Sequence, residues 1–188
     1  MRIDLPESQR DNPVANLSQN YSASIVNAAF EFSAVTYQDS KLNLREFEGA
    51  RARTAEINGC QICQGWRSAR DLPGYFSAFG GKYETSVAAN GTPPDEAYYN
   101  AVSDWRTSPL YSTRERLAIE YAEGLGLDPK GIAQNDDFWN RMRAAYSNDE
   151  IVDLSYCIAC WMGLGRVVHV LGLDAACSIR PAEAHLAA

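Results

Sequence analysis

Residues 42–70 read LNLREFEGARARTAEINGCQICQGWRSAR, and the way this stretch is divided into helices decides the rest. Leu42–Ile57 reads as one helix, closed by Asn58-Gly59, because both residues tolerate the left-handed conformation of a helix C-cap. A further helix then starts at about Cys60 and runs to Asp71, where Pro73-Gly74 breaks it. Cys60 and Cys63 stand at i and i+3 and so share a helix face, close enough to meet as a dithiol. In the first turn of a helix, unpaired amides and the helix dipole stabilise a thiolate, and Arg67 adds positive charge one turn on. Three readings stay open at this point: a redox dithiol, half of a metal site, or two small buried residues.

The flanking sequence is helical almost throughout. Residues 21–36 form one helix, residues 80–94 are a Gly- and Pro-rich loop, and PPDEAYYNAVSDW starts a short helix with acidic residues in its first turn. Ser112 with Glu115, and Ser147 with Glu150, are capping boxes that open two later helices, with NDDFWNRMRAAY an amphipathic helix between them. In the last helix Ile151, Leu154, Ile158 and Met162 follow the spacing of a core-facing stripe. No alternating strand pattern stands out. The expectation is a single all-α domain, a helical bundle of about seven helices spanning residues 21–175. Residues 1–20 are expected to be an N-terminal extension and residues 176–188 a loosely attached C-terminal tail.

Composition narrows the function classes. A net charge of −7, with no run of Lys and Arg, argues against nucleic-acid binding. No uninterrupted apolar stretch approaches the roughly 20 residues of a membrane span, and the polar N-terminus lacks a signal core. The expected location is cytoplasmic, where CxxC points to redox chemistry or metal more than to a structural disulfide.

Glu48 lies close to the apolar side of its helix. Partial desolvation there is expected to push its pKa upward, as suits a proton-shuttling group. The plainer alternative is a solvated ion pair with Arg51 or Arg45. The spacing of Glu48, twelve residues before Cys60 in an NGCxxC frame, resembles the carboxymuconolactone decarboxylase superfamily. Within it, the chain is most similar to the alkyl hydroperoxidase D-like, peroxidase-related branch. The likeness continues through SPLYSTRERLAIEYAEGLGL and YSNDEIVDLSYCIACWMGLGRVVHVLGL, covering about residues 25–174. It implies an all-helical fold assembled as a homo-oligomer, a trimer or hexamer, acting as an antioxidant peroxidase without a cofactor. It also implies that Cys63 attacks the peroxide, Cys60 resolves the sulfenic acid to a disulfide, and Glu48 relays protons. The electron donor would be a dithiol, such as a lipoyl or thioredoxin-like protein.

One position departs from the pattern. Four residues after Cys63, where the family carries His, this chain has Arg67, which stays protonated and cannot shuttle a proton. The dithiol is retained while the relay is broken or rerouted. His169 could stand in if the last helix packs beside the Cys60 segment. Alternatives are a decarboxylase-like enzyme, which relies on the missing His and does not need the dithiol, and a non-catalytic oligomeric member with structural thiols. Cys157 and Cys160 read as small buried hydrophobes. A four-thiolate zinc site with Cys60 and Cys63 is the sharper alternative. Cys177 reads as a free thiol, and His185 needs no role. The aromatics Tyr75, Phe76, Phe79 and Tyr83 suit either an organic pocket or a subunit contact.

Overall fold

The computed structural model describes residues 1–175, so the expectations for Cys177, His185 and the tail lie outside the described residues. The described residues form ten α-helices with short 3-10 turns and no strand. In chain order the helices are α1 (Pro13–Asn20), α2 (Ala23–Asp39), α3 (Leu44–Asn58), α4 (Gln61–Gly65) and α5 (Ser68–Phe79). They continue with α6 (Glu96–Asn100), α7 (Thr113–Leu127), α8 (Pro129–Ala133), α9 (Asp136–Ala145) and α10 (Asn148–Val170).

Helix α3 is the axis of the bundle, packed along both α7 and α10. On one side Phe47 and Ala50 join Leu117, Phe138, Leu154, Ile158 and Trp161 in the main core. On the other, Ala52 meets Tyr98, Tyr99, Trp105, Tyr111 and Ile119. Full burial of a side chain such as Leu154 or Ile158 contributes about 1.5–3 kcal/mol. Gly49 allows the second contact, because a Cβ there would lie 2.5 Å from the Tyr98 hydroxyl and 3.0 Å from Ile119.

Both capping boxes form, at Ser112/Glu115 for α7 and Ser147/Glu150 for α10. Asn43 caps α3, and Gly59 ends it in the left-handed region at φ +71°. The expected helix from Cys60 to Asp71 is instead two helices, interrupted at Trp66 and Arg67. Because α5 starts afresh at Ser68, Pro73 falls in its second turn. There it removes one backbone donor without ending the helix.

At the N-terminal end, Leu5 is buried, the Arg2 amide donates to the Leu171 carbonyl, and α1 lies against α2. Helix α10 amends the reading of apolar stretches, since by length and composition alone it could cross a membrane. Its apolar residues are spread around the helix rather than run together, and Leu154, Cys157, Ile158, Cys160, Trp161 and Met162 are buried in the bundle.

Candidate active site

The CxxC segment sits where the end of α3, the short α4 and α10 converge. Gly59 turns the chain out of α3, and Cys60 becomes the N-cap of α4, its Sγ accepting from the Cys63 amide at 3.3 Å. Cys60 and Cys63 are joined by a disulfide across a Cα–Cα distance of 5.3 Å. The two residues differ in exposure, Cys60 being fully buried and Cys63 half-buried. Helix α10 closes in from behind, where Gly165 leaves room for the Asn58 amide and lies in ordinary contact with the disulfide. A Cβ at Gly165 would stand 3.6 Å from Cys63 Sγ and 2.7 Å from Asn58 Nδ2.

Glu48 and Arg51 occupy the interior, at 0 % and 3 % side-chain exposure. Arg51 donates Nε to Glu48 Oε1 at 2.8 Å and Nη2 to Oε2 at 3.0 Å. Ser68 Oγ donates to Oε1 at 2.6 Å and the Tyr99 hydroxyl to Oε2 at 2.5 Å. Burial acts to raise the Glu48 pKa, but the Arg51 charge and these donors outweigh it and hold the carboxyl below its ordinary value. The expected upward shift is therefore corrected. The Arg51 pair does form, although in the interior rather than on a solvated face, because Cys63, Trp66, Ser68 and Tyr99 close over this side of α3. Arg51 also reaches the CxxC segment, donating Nη1 to the Cys63 carbonyl at 2.7 Å and Nη2 to the Trp66 carbonyl at 2.8 Å. The Glu48–Arg51 pair thus anchors the backbone that carries Cys63.

Arg67 is similarly committed. It pairs with Glu96 at 2.9 and 2.8 Å, donates to the carbonyls of Gln64 and Trp66, and lies 3.8 Å over the Tyr99 ring. Its donors clip the end of α4 to α6 instead of pointing at sulfur. Tyr99, beneath it, is kept protonated by burial and by the neighbouring Glu48 carboxylate. Ser68 and Tyr99, 20 and 51 positions from Glu48, and Glu96, 29 positions from Arg67, had no signal in the local sequence, since these partnerships come from packing.

His169 arrives on the same face of α10 as Gly165, one turn later. Its Nδ1 lies 2.9 Å from Asp174 Oδ2, and that oxygen also accepts from the Gln61 amide at 3.0 Å. Cys157 and Cys160 are buried, as expected. Cys157 Sγ donates to Asp153, and burial pushes the Cys160 thiol up to about 11. Among the described residues no three His, Cys, Asp or Glu side chains gather to hold a metal ion, so the four-thiolate arrangement is not formed.

No family model matches the chain. Over 58 residues it is 40 % identical to the uncharacterized protein YnjA of Escherichia coli (strain K12). That match spans 31 % of each protein, about a third of the relative's length. A crystal structure of an Agrobacterium tumefaciens protein of unknown function, described as a candidate antioxidant defence protein AhpD, superposes with a TM-score of 0.61. It covers 84 % of this chain and 93 % of that one at 22 % sequence identity. The fold is AhpD-like. Within that fold the buried and half-buried cysteines of an i, i+3 pair close a disulfide at the end of the central helix.

Proposed function

We infer that the protein is a thiol-dependent oxidoreductase of the alkyl hydroperoxidase type, reducing a hydroperoxide or a disulfide through Cys63 and Cys60. The observation that carries this reading is the unequal access of the bonded pair, Cys63 half-buried and Cys60 buried. In the reduced protein the Cys63 thiolate attacks the outer oxygen of a hydroperoxide. An S–O bond forms, the O–O bond breaks, and the alkoxide leaves as alcohol after taking a proton. Cys60 sulfur then displaces water from the Cys63 sulfenic acid, closing the disulfide. Two electrons from an external dithiol, of lipoyl or thioredoxin-like type, reopen it by exchange at Cys63.

In this reading Glu48 and Arg67 are positioning residues. Glu48 holds Arg51 on the Cys63 carbonyl, and Arg67 fastens the Gln64 and Trp66 carbonyls to α6. The site works without a cofactor, in the cytoplasm. The protein assembles with copies of itself, as a trimer or hexamer. Support for assembly comes from apolar side chains left exposed on α2 (Ile25, Phe32, Val35) and on one face of α10 (Val152, Tyr156, Val167, Val170). Sedimentation of the purified protein tests this part, and a monomer at micromolar concentration contradicts it.

The chemical test is a trapping experiment. Reduced Cys60→Ser protein, given an organic hydroperoxide and dimedone, should carry the adduct on Cys63, detected by peptide mass. An adduct on Cys157 or Cys160 in place of Cys63, or no adduct at all, removes Cys63 as the attacking thiol.

A further inference from the structure

The dithiol reading leaves one participant unassigned. Making a thiolate at Cys63 releases a proton, and the departing alkoxide needs one. The charged groups beside the disulfide are poorly suited to carry it. Both Glu48 oxygens are occupied by donors. The guanidinium groups of Arg51 and Arg67 have only donors and offer no site to accept a proton. His169 is the imidazole that packs against the CxxC turn from a different helix.

Its placement rests on three observations. The first is position. Gly165 and His169 are i and i+4 on α10, hence neighbours on one face. A Cβ at Gly165 would lie 3.6 Å from Cys63 Sγ, and one at Gly59, which precedes Cys60, would lie 3.1 Å from His169 Nε2. The second is orientation. Asp174, at 4 % side-chain exposure, offers an acceptor to Nδ1 at 2.9 Å. Its carboxyl is held below its ordinary pKa, burial being outweighed by the His169 and Gln61 hydrogen bonds, so it is ionised and can only accept. Nδ1 therefore carries the proton in the neutral ring, and Nε2, the atom facing the Gly59–Cys60 turn, is the basic nitrogen. The third is coupling. The same Asp174 oxygen receives the amide of Gln61, the residue between the cysteines that opens α4. One buried carboxylate thus ties the imidazole and the redox segment together.

We propose that His169, held by Asp174, is the proton-relay residue of the Cys60–Cys63 centre, in place of the position that Arg67 occupies. This rests on the dithiol reading. His169 Nε2 takes the Cys63 thiol proton, leaving the thiolate. The resulting imidazolium gives that proton to the alkoxide when the O–O bond breaks, so the alcohol leaves neutral and the imidazole is restored. A side-chain exposure of 45 % lets the ring exchange protons with solvent and meet an entering peroxide. The other groups near it are Arg166, one turn earlier and bonded to the Gly126 carbonyl, and Met1, whose backbone lies against Gly172. Asp174 is the negative charge in contact with the ring.

The test follows oxidation of the reduced protein by cumene hydroperoxide under single-turnover conditions, with rate measured against pH. His169→Gln should slow oxidation of Cys63 by about 100-fold and lose one limb of the wild-type pH profile, while the disulfide still forms. Imidazole in solution should restore part of the rate to His169→Ala, whose missing ring leaves a solvent-facing gap. Asp174→Asn should give a smaller loss. Circular dichroism confirms that each variant is folded, and the pH dependence of Cys63 alkylation gives a second readout on each. His169→Gln within about twofold of wild type, with Cys63→Ser inactive, removes the relay and leaves the dithiol reading standing. A slow His169→Ala that imidazole does not accelerate also overturns the relay, since it marks a purely structural role. A wild-type protein whose Cys63 is not oxidised removes the dithiol reading, and the relay with it.

Discussion

Arg51→Leu should invert the way stability depends on pH. In the wild type Arg51 and Glu48 are 3 % and 0 % exposed, and Arg51 supplies two of the four hydrogen bonds to the carboxylate. Removing one partner of a buried pair costs about 3–5 kcal/mol, because the remaining charge is left without compensation. For a domain of this size each kcal/mol is worth about 2–4 °C, so the melting temperature should fall by roughly 6–20 °C. The sign of the pH effect is the sharper test. With Arg51 present, the folded pKa of Glu48 lies below its unfolded value. That contribution is complete above the unfolded pKa of about 4.3 and is lost as pH falls through the folded value. Without Arg51, burial dominates and raises the folded pKa above the unfolded one. The variant should then be most stable below about pH 4.3 as far as this group is concerned. Its stability should decline as pH rises toward the new folded pKa, by up to about 1.4 kcal/mol per pH unit. Urea denaturation of the disulfide-intact protein at about pH 5 and pH 7, read as the change in midpoint, measures this. If Arg51→Leu keeps the wild-type trend, losing no stability between those values, the account of Glu48 as a carboxylate held ionised by Arg51 is wrong.

Other consequences are as specific. Tyr99→Phe removes one donor from the buried Glu48 carboxylate and should cost about 1–3 kcal/mol in urea denaturation. Gly59→Ala meets both a left-handed backbone and the His169 ring, so it should lower stability by about 1–2 kcal/mol. It should also slow Cys63 oxidation, whereas Ser112→Ala, which removes only the α7 cap, should cost about 1 kcal/mol and leave oxidation unchanged. In the reduced native protein Cys63 should be alkylated first, with Cys157 and Cys160 modified only after denaturant is added; mass mapping over time follows the order.

What the chain order reveals, and what it hides, divides along the range of the interactions. The capping boxes at Ser112 and Ser147 and the Asn58-Gly59 stop are local chemistry, and the helices start and end at them. Of the stripe of Ile151, Leu154, Ile158 and Met162, the last three are buried and Ile151 is partly buried against the same core. Short elements escape such reading, because α1, α4 and α8 have too few turns for a periodic pattern to declare itself. Glu48 is the instructive case. The residues around it disclose a carboxylate near an apolar face and an arginine at i+3. Whether that pair is solvated or buried depends on α7, α10 and Tyr99, all far along the chain. The same limit hid the Arg67–Glu96 clip, which makes Arg67 a fastener of backbone carbonyls. His169 could be singled out in sequence, but its bond to Asp174 depends on the turn at Gly172 that ends α10, and its approach to Gly59 on how α10 is set against the end of α3.

The most direct test of the central claim is the stoichiometry of hydroperoxide consumption by fully reduced protein, wild type beside Cys63→Ser, without an added donor. The wild type should consume one equivalent per chain, recovered as a Cys60–Cys63 disulfide on peptide mapping, and the variant none. Equal consumption by both proteins, or oxidation of the wild type without that bond, contradicts the claim.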